Sequence, residues 1–174
     1  PAAAQAQKLA ASLRLDWVPG PHHIGPILAA QRGYYAAEGL DLSVRPGRGS
    51  GNTVQVVASG GDLFGFADAG TMAIAVSKGA PVVMVANVTQ RGRIGVITLG
   101  RKLGSPKDLE GKIVGLVPGE APQVAMLAVM KKHGIPETAV RTVAVDAAVK
   151  VAALLTKKVD VIPGFIFGDY LRAY

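Results

Sequence analysis

Cysteine is absent from the 174 residues, which excludes disulfides, thiolate metal sites and a cysteine nucleophile and leaves the fold to stand on packing alone. Aromatic residues are scarce: one Trp, four Tyr and four Phe. With 19 Lys+Arg against 12 Asp+Glu the formal charge is +7, yet the basic residues are scattered, the densest pairs being Lys131-Lys132 and Lys157-Lys158. A nucleic-acid surface needs a clustered basic stripe interleaved with stacking platforms, so no nucleic-acid partner is expected. A positive field that favours anionic ligands is compatible with this charge. No apolar run approaches the ~18 residues of a membrane span, and a soluble chain is expected.

What is present is a chain with 49% hydrophobic residues, enough to bury a core in one domain or in two small lobes. It begins PAAAQAQKLAA, and Ala4-Gln5-Ala6 has the small-x-small form found around secretory cleavage points. Residues 1–11 therefore read as the remnant of an export signal.

From Leu13 short apolar runs alternate with helix-period segments, the rhythm of βαβ units around a largely parallel sheet. The pattern predicts a first strand over Leu13–Trp17, a helix from Ile24 to Glu38 with Gly39 as its stop, and a second strand over Leu40–Val44. A helix over Asn52–Ser59, a strand over Leu63–Ala67 and a helix over Gly70–Lys78 follow. Pro81–Val88 is so uniformly apolar that it reads as a central strand covered on both faces. The polar run Thr89–Arg93 breaks the rhythm and suggests a crossing between lobes. Beyond it come strands at Val96–Leu99, Lys112–Val117, Val140–Val145 and Val159–Ile162, with helices at Pro122–His133 and Ala147–Lys157. ASGGDLFGF, Ala58–Phe66, is echoed by TKKVDVIPGF, Thr156–Phe165, as two lobes on one βα plan would require. The chain reaches Tyr174 without a stop signal, so a continuation is expected.

The candidate chemistry lies where these strands end. Gly47, Gly49 and Asp68 meet three demands of a dinucleotide fingerprint, but Asn52 occupies the place of its third glycine. The same stretch reads as a helix N-terminus with bare amides that a ligand approaches, or as a helix that Ser50 or Asn52 simply caps. Asp68-Ala69-Gly70-Thr71 follows the third strand, where open α/β sheets place ligands, although Asp and Thr also cap helices. The only tryptophan, Trp17, precedes Pro19 and the pair His22-His23. That loop offers a flat apolar wall and two imidazoles. Adjacent histidines do not share a face in regular structure and no third His or Cys is near, so metal binding is the poorer reading and none is predicted. In the second half Gly119 and Glu120 repeat the strand–glycine turn–helix logic, with Glu120 either a helix-terminal charge or a selector for an amine or amide. No nucleophile elbow and no close pair of acids appears, so neither catalysis nor a cofactor is predicted.

LDWVPGPHHIGPILAAQRGYYAAEGLDLSVRPG, GSGNTVQVVASGGDLFGFADAGTMAIAVSKGAPVVMVANV and LGSPKDLEGKIVGL together resemble the solute-binding proteins of bacterial ABC importers, in the family handling nitrate, sulfonates, taurine and thiamine-pyrimidine precursors. The resemblance runs from Leu13 to about Phe165. It implies an α/β, two-lobed periplasmic-binding-protein-like fold of type II, each lobe a mostly parallel sheet flanked by helices, with residues 12–90 as lobe 1 and 91–174 as an incomplete lobe 2. It implies solute contacts from Trp17, Pro19, His22, His23, Ser50, Asn52, Asp68, Ala69 and Thr71 in one lobe, and from Gly119, Glu120 and Phe165 in the other. An exported, periplasmic monomer serving a membrane permease is the implied setting. Asp16-Trp17-x-Pro looks closest to the pyrimidine-precursor branch, whose fungal members make that precursor and carry a cysteine-rich motif that this sequence does not have. A synthase-like enzyme and a Rossmann-like oxidoreductase are the alternatives.

Overall fold

The computed structural model describes residues 8–89, 94–100 and 102–173. The expected export remnant thus lies largely outside the described residues, as do Gln90–Arg93 of the expected crossing. The chain divides into two compact units, Pro1–Val82 and Val83–Tyr174. Among the described residues no helix is long and apolar enough to cross a membrane.

In unit 1, strand β1 (Leu9–Arg14) lies parallel between β2 (Leu40–Arg45) and β3 (Phe64–Gly65), in the order β2-β1-β3. Leu9 pairs with Leu40 and Arg14 with Arg45. The first strand therefore starts four residues before its expected place: small Ala10, Ala11 and Ser12 carry little strand signal but pair readily beside β2. Asp16 and Trp17 are released into the following loop. The helix expected over Ile24–Glu38 is two, α1 (Ile24–Gln31) and α2 (Tyr34–Ala37), because Gly33 between them takes a left-handed φ of 73°. Helices α3 (Ser50–Ala58) and α4 (Ala69–Ser77) flank β3 in sequence. The buried Asp62 carboxylate ties the strands laterally, accepting from Arg14 at 2.7 Å and Arg45 at 2.9 Å.

Among its described residues unit 2 has four strands, β4 (Ile94–Thr98), β5 (Ile113–Leu116), β6 (Arg141–Ala144) and β7 (Val161–Phe165), in the order β4-β7-β5-β6. β5 is parallel to both neighbours, whereas β4 runs antiparallel to β7. Helices α5 (Ala121–Lys132) and α6 (Lys150–Leu155) connect the parallel strands, and a short α7 (Leu171–Ala173) follows β7. One core joins Val114, Leu116 and Val161 to Met126 and Met130 of α5; a second joins Ile97 and Ile162 to Ala153 and Leu154 of α6. Consecutive residues Val161 and Ile162 thus enter different cores, as a strand buried on both faces requires.

The two units share a plan, β2-β1-β3 in one and β6-β5-β7 in the other. The sequence echo falls at equivalent places: each copy ends a helix, turns, and enters the third parallel strand. Two further expectations fail. Pro81–Val88 forms no strand, and Val83, Val85 and Val88 are 80%, 77% and 67% exposed. An apolar run becomes a strand only where a ladder satisfies its backbone, and no described strand pairs with it. The helix expected from Ala147 begins only at Lys150, because Asp146 accepts the Ala148 N–H at 2.8 Å and forms a turn instead.

Candidate functional site

In both units the connections reverse direction at the carboxyl ends of the central strands, the place where open α/β sheets leave a crevice. In unit 1 the three loops there converge on Asp16, which is 6% exposed. Its backbone carbonyl accepts the Gly49 N–H at 2.7 Å, from the loop after β2. One carboxylate oxygen meets His23 Nε2 at 2.7 Å and lies 3.7 Å from His22 Nε2; the other accepts from Ser50 Oγ at 3.4 Å. Ser50 Oγ in turn accepts the Asp68 N–H at 3.0 Å, from the loop after β3. Leu15 and Trp17 complete the seam, their carbonyls accepting from Thr53 Oγ1 at 2.8 Å and the Gly47 N–H at 3.0 Å.

Close approach explains the glycine at position 47. A Cβ there would fall 1.8 Å from the Leu15 carbonyl oxygen, so only glycine lets the two loops meet. The glycine-rich stretch is accordingly a packing seam at its start. The N-cap of α3 is Gly49 with no side-chain cap, so of the two readings of this stretch the one in which Ser50 or Asn52 simply caps the helix does not hold: Ser50 turns its hydroxyl to Asp16, and Asn52 is exposed. Asp68 does cap α4, accepting the Thr71 N–H at 2.9 Å and the Thr71 hydroxyl at 3.1 Å. Thr71 is buried and Ala69 exposed.

His22 and His23 lie in a 3₁₀ turn, Pro21–His23, with ring centroids 3.7 Å apart. The rule that adjacent histidines point apart holds for helices and strands and does not govern this turn. Phe66 meets His23 edge-on at 5.2 Å. Burial opposes ionisation of Asp16, but hydrogen bonds and electrostatic attraction from the His22 and His23 rings outweigh it and hold the carboxyl below its ordinary range. Trp17 is half-buried and Pro19 exposed on the same loop.

Unit 2 repeats the arrangement with a cation at its centre. Lys150, fully buried at the start of α6, donates to Glu120 Oε2 at 2.7 Å and Asp169 Oδ2 at 3.1 Å. Glu120 follows β5 and Asp169 follows β7, so one ammonium ties the ends of all three parallel strands. Asp169 also accepts the Phe165 N–H at 3.3 Å, and Gly119 turns the chain at φ 80° before Glu120. Burial pushes the Glu120 carboxyl up to about 7, against the Lys150 charge and hydrogen bond, with Asp169 adding to the rise. Its Oε1 is buried without a hydrogen-bond partner among the described residues.

Of the sequence-derived residues, His22, His23, Ser50, Asp68 and Thr71 are brought together around Asp16 in unit 1, and Glu120 is joined through Lys150 and Asp169 to Phe165 in unit 2, whereas Pro19, Asn52 and Ala69 are exposed on the same loops and helix starts. Asp16, Lys150 and Asp169 were not anticipated. An acid two residues beyond the end of β1 is the signal that marks Asp16, and a lysine inside the apolar run Val149–Leu155 is the one that marks Lys150.

The architecture is that of periplasmic solute-binding proteins. The aliphatic sulphonate binding protein SsuA of Escherichia coli matches 95% of this chain and 56% of its own with a TM-score of 0.67 at 17% identity, a likeness of fold alone. The chain belongs to the NMT1/THI5 like family, whose model matches residues 20–173. It is 32% identical over 133 residues to the 4-amino-5-hydroxymethyl-2-methylpyrimidine phosphate synthase THI12 of Saccharomyces cerevisiae, covering 73% of this chain and 38% of that protein. It is 34% identical over 102 residues to the formylaminopyrimidine-binding protein of Halalkalibacterium halodurans, covering 58% and 31%. The chain therefore spans well under half the length of these relatives.

Proposed function

We propose that the chain is the solute-capturing part of an exported, monomeric binding protein that serves an ABC importer, and that its solute is a thiamine-type pyrimidine precursor and not a sulfonate or nitrate. The site is formed by the loops at the carboxyl ends of the parallel strands. The observation that carries the choice of solute is the composition of the unit 2 hub, two carboxyl groups to one ammonium, with Glu120 Oε1 a buried acceptor lacking a partner among the described residues. An oxyanion brought there meets like charge. An aminopyrimidine supplies the N–H donor that a buried carboxylate requires. Independently of that hub, Trp17 of unit 1 carries a flat apolar face suited to stacking on an aromatic solute.

The names of the synthase relatives favour a second reading, a pyrimidine-forming enzyme. The two part in one experiment. Calorimetric titration with formylaminopyrimidine and with taurine, followed by mass spectrometry of the mixture, reports affinity and turnover together. Capture predicts binding of the pyrimidine unchanged and weak or no binding of taurine. Trp17→Ala is expected to weaken pyrimidine binding by about 1–3 kcal/mol with the fold intact. Tighter binding of taurine would reverse the choice of solute, and chemical conversion of the protein or its ligand would favour the enzyme.

A further inference from the structure

We propose that Asp16, His22 and His23 form a binding site for a divalent transition metal of the zinc class, a property that neither solute capture nor the strand-end crevice requires. The three donor atoms all lie within 4.8 Å of one another. Around a tetrahedral ion with bonds of roughly 2.0–2.1 Å, ligand atoms stand about 3.3 Å apart. The 3.7 Å between Asp16 Oδ1 and His22 Nε2 is already close to that spacing, and the 2.7 Å to His23 Nε2 has to open by about half an ångström. Two imidazoles and a carboxylate make a borderline donor set that suits zinc, copper or nickel and leaves one position for water or a solute atom.

The surroundings resemble those of a supported metal site. Ser50 Oγ donates to the second oxygen of Asp16 at 3.4 Å and so orients the carboxylate. Phe66 packs on His23 and restricts water on that side. The proton inventory closes without an added base. Gly20 N–H donates to His23 Nδ1 at 3.3 Å, which places the ring proton on Nε2, where it is donated to Asp16. When the ion takes the Nε2 lone pair, that proton transfers to Nδ1 and the long Gly20 contact is given up. The turn itself persists through the His23 N–H bond to the Gly20 carbonyl at 2.9 Å.

The test is calorimetric titration of the untagged, chelator-washed chain with ZnCl2, with Co2+ absorbance as a reporter of tetrahedral coordination. One Zn2+ per chain is expected, with affinity reduced at least 30-fold in His22→Ala and in Asp16→Asn and unchanged in His133→Ala. The His22 side chain is 21% exposed, so its truncation leaves the fold intact, as circular dichroism would verify. Absence of stoichiometric zinc binding at about 100 μM metal, or binding that survives His22→Ala, would overturn the assignment. Loss of binding in His133→Ala would do the same, by moving the ion to the exposed histidine.

Discussion

Replacing Glu120 by Gln changes one atom and removes one titration, so it isolates the energetics of the unit 2 hub. The carboxyl rises from its ordinary value of 4.5 to about 7 in the folded chain. Between those values the native protein holds a proton that the unfolded chain has released. Stability contributed by that proton is fully present below 4.5 and is lost as pH climbs through 7. At about 1.36 kcal/mol per pKa unit, the difference of about 2.5 units corresponds to at most roughly 3.4 kcal/mol. Urea unfolding of both proteins at pH 5 and pH 8, followed by circular dichroism, gives four free energies. Titrating groups outside the hub are common to the two chains and cancel in the double difference, while Lys150 and Asp169, which are coupled to Glu120, contribute to it. The wild-type chain is expected to lose about 2–3 kcal/mol more than Glu120→Gln between pH 5 and pH 8. Amide exchange in α5, measured under native conditions, assigns the effect to unit 2. A double difference below about 0.5 kcal/mol, or one of opposite sign, would refute the claim that burial and Asp169 outweigh Lys150 at this carboxyl.

Removing the cation probes the same hub from its centre. Lys150→Met leaves Glu120 and Asp169 buried together and is expected to destabilise by about 3–5 kcal/mol at pH 8, with a smaller loss at pH 5 where Glu120 is protonated; thermal melts at the two pH values check this, and equal losses would contradict it. In unit 1, Gly47→Ala forces a methyl into the Leu15 carbonyl and is expected to cost about 1–3 kcal/mol or more, read as a lower urea midpoint. An unchanged midpoint would mean that the loop after β2 moves freely from the loop after β1.

The α/β rhythm was legible because hydrophobic period is local. β2, α4, α5 and β6 all fall within a few residues of where the pattern puts them. What failed depended on pairing: Pro81–Val88 is apolar throughout but meets no ladder among the described residues, and β1 begins at Leu9 and runs through Ala10, Ala11 and Ser12, whose strand signal is the neighbour they pair with. The site shows the same division. His22, His23, Ser50, Asp68 and Glu120 stand out because polar groups at strand ends are visible in one dimension. Asp16 and Lys150 organise them, yet their partners lie as far as 34 and 30 residues away in the chain. No spacing rule connects residues across a sheet.

The two hubs solve one topological problem with opposite electrostatics. Three loops must be held at the end of a parallel sheet whose backbone groups have run out of ladder partners. Unit 1 does so with an anion surrounded by donors, and the low pKa direction of Asp16 shows that the donors outweigh its burial. Unit 2 uses a cation shared by two acids, and the raised pKa of Glu120 reflects burial that outweighs the Lys150 charge and hydrogen bond. A buried acceptor with no partner among the described residues costs stability that a donor restores. A solute that donates to Glu120 Oε1 therefore relieves an existing penalty as well as adding a contact, and stabilises unit 2 in proportion to its occupancy. Because protonation of Glu120 removes part of the same penalty, that stabilisation is expected to be larger at pH 8 than at pH 5. A thermal shift with formylaminopyrimidine that is equal at the two pH values would place the ligand elsewhere than at Glu120.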